Sequence, residues 1–155
     1  MFGAASVGKS CLRVQFADRI FPPRGPTLTG YVNSRIVCVG GALVKMLLQE
    51  ADGPEFHHWH GHHFHGAFIV YDVTRRSSFE LVPSLFLDVR SSCTINSAMV
   101  LLGNKADKDC ERQVSYAEGD NLANNLGLLF METSALVEAM VDEAFLTACE
   151  AACLC

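Results

Sequence analysis

The run Gly3-Ala4-Ala5-Ser6-Val7-Gly8-Lys9-Ser10 constrains this chain more than any other feature. Its spacing, G-x-x-x-x-G-K-S, is that of a loop that wraps nucleotide phosphates. Gly3 and Gly8 permit the backbone angles that turn successive N–H groups, from Ser6 and Val7 onward, around one anion. Lys9 supplies a point charge for the outer phosphates, and Ser10 a hydroxyl for Mg²⁺. The loop should run straight into a helix over residues 9–18. The first turn of that helix, with Cys11, then also faces the phosphates.

At 155 residues the chain is expected to form one domain, 1–155, large enough to bury a core. Half the residues are apolar and 19% are charged; the net charge of −5 argues against a nucleic-acid partner. No apolar run approaches the ~20 residues that a membrane span needs. A secretory signal is not expected, because the phosphate loop stands at the very start. The seven cysteines are scattered without metal-finger spacing, which points to a reducing, cytosolic setting.

Two apolar stretches, 31–39 and 42–49, flank Gly40-Gly41 and read as an antiparallel hairpin. Residues 67–73 and 98–103 are short apolar runs of the kind that fill a parallel sheet covered on both faces. Between them, residues 77–90 carry Phe79, Val82, Leu85, Phe86 and Val89 at helical spacing, with Ser77 or Ser78 as cap. Pro83 suits only a first turn, so the regular helix should start later than that cap implies. A helix near 116–126, a short strand at 128–132 and a last helix near 137–152 follow. Strands alternating with helices predict right-handed crossovers and a three-layer α/β domain. Ligands of such sheets bind at the carboxyl ends of the strands.

Asn104-Lys105-Ala106-Asp107 follows directly on the run 98–103. In register with the upstream phosphate loop, this N-K-x-D element resembles the guanine-reading signature of Ras-like small GTPases. Its chemistry is legible: the Asp107 carboxylate can accept from guanine N1–H and from the 2-amino group, and adenine presents neither donor there. Lys105 can pack its stem along the base, and Asn104 can tie the loop to its neighbours. Glu132-Thr133-Ser134-Ala135-Leu136 is similar to the E-T-S-A element, whose backbone at Ser134, Ala135 and Leu136 meets the base. Phe21 stands where the family places an aromatic ring against it. Phe68-Ile69-Val70-Tyr71-Asp72-Val73-Thr74, with His65-Gly66-Ala67 before it, resembles the Rab branch.

The resemblance implies a P-loop NTPase fold, a mostly parallel sheet with one antiparallel edge hairpin. Only Met1 and Phe2 precede Gly3, so the first strand is expected to be missing or reduced, as in an N-terminally truncated member. It also implies GTP or GDP with Mg²⁺ as ligands, and exchange factors, GTPase-activating proteins and effectors as partners. The implied role is vesicle traffic in the cytoplasm, at the cytosolic face of endomembranes.

The chain departs from the family in its two switch regions. Pro26-Thr27-Leu28-Thr29-Gly30 resembles the first switch, which makes Thr27 the second Mg²⁺ ligand, or Thr29 if the register slips. In the second switch Glu50 replaces the shorter carboxylate that holds Mg²⁺ through water, and Gly53 keeps an N–H for the γ-phosphate. Pro54 takes the place of the glutamine that orients water; it has no side-chain amide, so hydrolysis is expected to be slow or absent. No catalytic residue is therefore assigned, and a pseudo-GTPase working as an interaction module stays open. All six histidines fall between His57 and His65, a spacing that can ligate Zn²⁺, Ni²⁺ or Cu²⁺, so a metal-binding remnant stays open too. Residues 153–155 end in C-x-C, and Cys153 with Cys155 resembles a doubly prenylated terminus.

Overall fold

A computed structural model describes residues 1–21, 32–50 and 64–153. Thr27, Thr29, Gly53, Pro54, Cys155 and every histidine before His65 lie outside the described residues.

Gly40 and Gly41 both take positive φ, 57° and 83°, which lets a two-residue turn follow the twist of the strands it joins. It closes β1 (Val32–Val39) on β2 (Ala42–Gln49), antiparallel from Val39↔Ala42 to Val32↔Gln49. β3 (Phe64–Asp72), β4 (Cys93–Asn104) and β5 (Leu129–Glu132) form a parallel sheet in that order. Among the described residues five α-helices accompany them: α1 (Lys9–Asp18), α2 (Arg76–Glu80), α3 (Val82–Ser92), α4 (Tyr116–Leu126) and α5 (Glu138–Cys153).

Alternation along β3 decides the layers. Phe68 and Val70 join a core with Leu12 and Phe16 of α1 and Val141, Phe145 and Ala148 of α5. Ile69 and Tyr71 point the other way, among Phe79, Val82 and Val89 of α2 and α3 and Ala123 of α4. The three-layer expectation is met. Covered on both faces, β3 is buried without a break from Ala67 to Asp72, as its continuous apolar run requires.

The first strand is reduced to a stub. Phe2 bridges Ile69 in parallel: its N–H donates to Phe68 O and its carbonyl accepts from Val70 N, both at 2.8 Å. Met1 donates its ammonium to Gln49 O. Two residues thus stand between the hairpin and the parallel sheet and bond to both. A cavity of about 900 Å³ opens beside them, with Met1, Leu48, Phe68 and Cys149 in its wall.

Two local expectations are corrected. The helix expected over 77–90 is two helices, α2 and α3, broken at Leu81, with Pro83 in the first turn of α3. Neither Ser77 nor Ser78 caps it. Arg75 is the N-cap, without a side-chain bond, and Ser78 is buried inside α2. The Ser78 hydroxyl accepts from Asp72 N at 3.0 Å and donates to Arg75 O at 2.7 Å, so it braces the turn after β3 instead. β4 also starts at Cys93, ahead of the apolar run that marked it, because α3 leads into it without a loop.

Removing the Phe2 ring should cost about 3–5 kcal/mol, since it is 3% exposed and belongs to the core beneath α2 and α3. Urea unfolding of Phe2→Ala checks this. Ser115 and Glu118 form a capping box at the start of α4. The Ser115 N–H first, and then the Arg76 guanidinium, hold the Glu118 carboxyl at about 2 instead of 4.5. A lowered pKa stabilises the fold above the ordinary value. The Glu118 contribution is therefore complete above pH 4.5 and is lost as pH falls through about 2. In thermal melts across that window, Glu118→Gln should show a shallower loss than the parent chain.

Candidate functional site

The loop at residues 3–8 is built by holding its carbonyls. Lys9 Nζ donates to Gly3 O at 2.9 Å and to Ala4 O at 3.0 Å. Arg75 donates to Ala5 O at 2.6 Å, and Lys105 Nζ to Ser6 O at 3.2 Å. Asn104 Nδ2 donates to Val7 O at 2.8 Å, and Leu12 N–H closes the first turn of α1 on Gly8 O at 3.0 Å. A peptide's N–H points away from its own carbonyl, so a loop with its carbonyls held at the wall presents N–H groups to its hollow. Gly8 caps α1 at φ 100° with no side-chain bond, and no acidic residue sits in the first turn. A helix N-terminus with no side-chain cap suits an anion.

Both glycines are sterically required. A Cβ on Gly3, at φ 151°, would lie 2.3 Å from Val70 O. One on Gly8 would lie 2.2 Å from Asn104 Nδ2.

The second motif meets the first through its side chains. Asn104 is buried at the end of β4; besides holding Val7 O, its Oδ1 accepts from Ala135 N at 3.3 Å. Lys105, at φ 67°, reaches back to Ser6 O and pairs with Asp72 at 2.5 Å. Burial pushes the Asp72 carboxyl up, but bonds from Lys105 and Thr74 outweigh it and hold the group below its usual value. Asp107 is exposed, and its Oδ1 accepts from the buried Ser134 hydroxyl. Leu136 N–H donates to the same hydroxyl at 3.1 Å, and the Leu136 side chain is exposed. At 3.3 Å the Ala135–Asn104 bond is long, which leaves that N–H shareable with an incoming carbonyl. Glu132 turns away: it receives both terminal nitrogens of Arg112 at 2.6 and 2.9 Å. Phe21, just beyond α1, is 41% exposed.

Ser10 and Glu50 also come together, since Ser10 Oγ donates to Glu50 Oε2 at 2.7 Å. Cys11 sits beside them, its thiol raised by burial and then by the Glu50 charge. The other Glu50 oxygen accepts from Arg13 Nε, in an ion pair whose partners are 2% and 6% exposed. A resident divalent cation calls for a carboxylate whose charge is available. Here a buried guanidinium already balances it, so among the described residues Ser10 and Glu50 do not fit that ion well. Thr27 and Gly53, the other expected contacts to metal and phosphate, lie outside the described residues. Sequence reasoning missed Arg13, Asp72 and Arg75. Arg13 had a signal, a charge three residues after Ser10 on the same helical face; Asp72 and Arg75 had none, because only the fold brings them to the loop.

This arrangement, a phosphate-type loop locked to an N-K-x-D loop across one sheet edge, is that of a guanine-nucleotide switch domain. The sequence matches the Ras family over residues 1–153, and the chain belongs to that family of small GTPases. It is 39% identical over 150 residues to Ras-related protein Rab-2B of Dictyostelium discoideum, a match that covers 94% of this chain and 74% of that protein.

Gly8→Ala should cost about 1–3 kcal/mol in backbone strain alone, and more through the clash that drives Asn104 off Val7 O. Urea unfolding reads the loss, and binding of inorganic pyrophosphate, measured by calorimetry, should weaken with it.

Proposed function

We propose that this chain binds guanine nucleotide as a Rab-like switch in vesicle traffic, turning GTP over slowly if at all. The observation that carries the reading is the direct tie between the two motifs. Asn104 and Lys105, which belong to the base-reading loop, hold the Val7 and Ser6 carbonyls of the phosphate loop. One purine nucleotide reaching from Lys9 to Asp107 would touch both.

Each residue then has a role. Gly3 and residues 6–10 with the start of α1 hold the phosphates. The Asp107 carboxylate, oriented by Ser134, accepts from N1–H and the 2-amino group. Ala135 N–H meets the base carbonyl, and Phe21 and Lys105 flank the ring. Hydrolysis would be water attack on the γ-phosphate. Pro54 offers no amide to orient that water, which supports slow turnover. Partners would be exchange factors, activating proteins and effectors; exposed Ile36, Leu43 and Leu47 on the outer face of the hairpin suit such docking. No described helix is long and apolar enough to cross a membrane. Attachment would be peripheral, through prenyl groups on Cys153, exposed at the end of α5, and Cys155.

A second reading, a pseudo-GTPase that only presents a surface, is favoured by Pro54 and by the engagement of Glu50 with Arg13. Multiple-turnover phosphate release would exclude it. The metal-binding reading falls on His57 to His65, and of those histidines only His65 lies among the described residues.

In competition binding, GTP and GDP should be preferred over ATP by at least about a hundredfold, because adenine leaves the Asp107 carboxylate unmatched. Asp107→Ala should erase the preference while leaving pyrophosphate binding unchanged. Equal affinity for ATP and GTP in the parent chain overturns the assignment.

A further inference from the structure

Arg13 is a buried charge near the loop to which the nucleotide-binding roles above give no part. It is 2% exposed, and it lies on α1 three residues beyond Ser10, hence on the same face. Its Nε pairs with Glu50 Oε1 while Ser10 donates to Glu50 Oε2, so both carboxylate oxygens are engaged. A guanidinium never gives up its proton in a protein, so this compensation is permanent.

We infer that Arg13 takes the electrostatic place of the divalent cation, so that nucleotide binding by this chain is independent of Mg²⁺. The inference rests on the guanine-nucleotide reading above. Two consequences of the same pair act together. A bare carboxylate beside the phosphate loop repels phosphate and needs a cation between them; Glu50 with Arg13 is neutral as a pair, so phosphates approach without one. The protein's pull on a divalent ion falls at the same time, because its only described carboxylate at the Ser10 hydroxyl is already balanced. The hydroxyl keeps lone pairs, but a single neutral oxygen is a weak site for such an ion. Freeing Glu50 for a metal would break a buried ion pair, a costly change in a protein interior. A tie that only fastened α1 to the end of β2 would leave Mg²⁺ dependence untouched, so the two roles are separable.

The test is the dissociation rate of fluorescent GDP from the full chain, in excess Mg²⁺ and in excess EDTA. The parent chain should give rates within about threefold of each other, and so should Arg13→Lys, which keeps the charge. Arg13→Leu should lose GDP at least about tenfold faster in EDTA than in Mg²⁺. A parent chain that itself loses GDP tenfold faster in EDTA overturns the inference, as does an Arg13→Leu no more metal-dependent than the parent. Should Arg13→Leu fail to fold, the parent rates still decide, together with Mn²⁺ titration of the parent–GDP complex followed by electron paramagnetic resonance. Affinity no tighter than that of free GDP supports the inference, and tighter binding overturns it. GDP binding that requires Mg²⁺ removes this inference alone. GDP binding in neither medium removes the nucleotide reading and this inference with it.

Discussion

The whole site depends on the carbonyls of residues 3–8 being held outward. A loop cannot gather N–H groups on an anion while its own carbonyls share the hollow, since both dipoles belong to the same peptide planes. Lys9, Arg75, Asn104 and Lys105 supply the donors that hold them. These come from α1, from the turn after β3 and from the end of β4, so the loop keeps its shape only when β3 and β4 lie side by side and parallel. Three of the four are cations, which adds a positive field to the start of α1. Asp72 holds Lys105 in line and keeps the field from being wholly unbalanced.

The sheet that meets this demand is joined at a narrow place. Phe2 shares its ladder with Phe68 and Val70, and Met1 bonds to Gln49. Those two residues carry the hydrogen bonding between hairpin and parallel sheet around the loop, and Gly3 follows them immediately. The backbone of Gly3 is also pressed close to Val70 O. Loop position and sheet continuity are thus one structural problem, met by the same few atoms. The helices on both faces then bury β3 from Ala67 to Asp72, and the carboxyl ends of β3, β4 and β5 converge at one edge.

At the start of α1 a buried ion pair sets the charge beside Ser10. Glu50 reaches one methylene further than the aspartate its motif would carry, and a buried arginine meets it. A guanidinium cannot come and go with nucleotide as a metal ion does. The Asp107–Ser134 and Ala135–Asn104 contacts are made by the loops that follow β4 and β5.

Much of the site was legible in the chain, for a local reason. Gly3, Gly8 and the Gly40-Gly41 turn each meet a conformational demand on single residues, and the helix after the loop and the apolar strands follow from periodicity over a few turns. The match between the loop and N-K-x-D was readable as order and spacing. What only the tertiary structure decided were partnerships across long separations: Asn104 with Val7, 97 residues apart, and Arg13 with Glu50, 37 apart. The buried role of Ser78 and the break at Leu81 belong to that second class. A residue's own torsions and its neighbours' spacing are written in the sequence, but which donor meets which acceptor depends on how whole elements pack, and that geometry exists only once the sheet has formed.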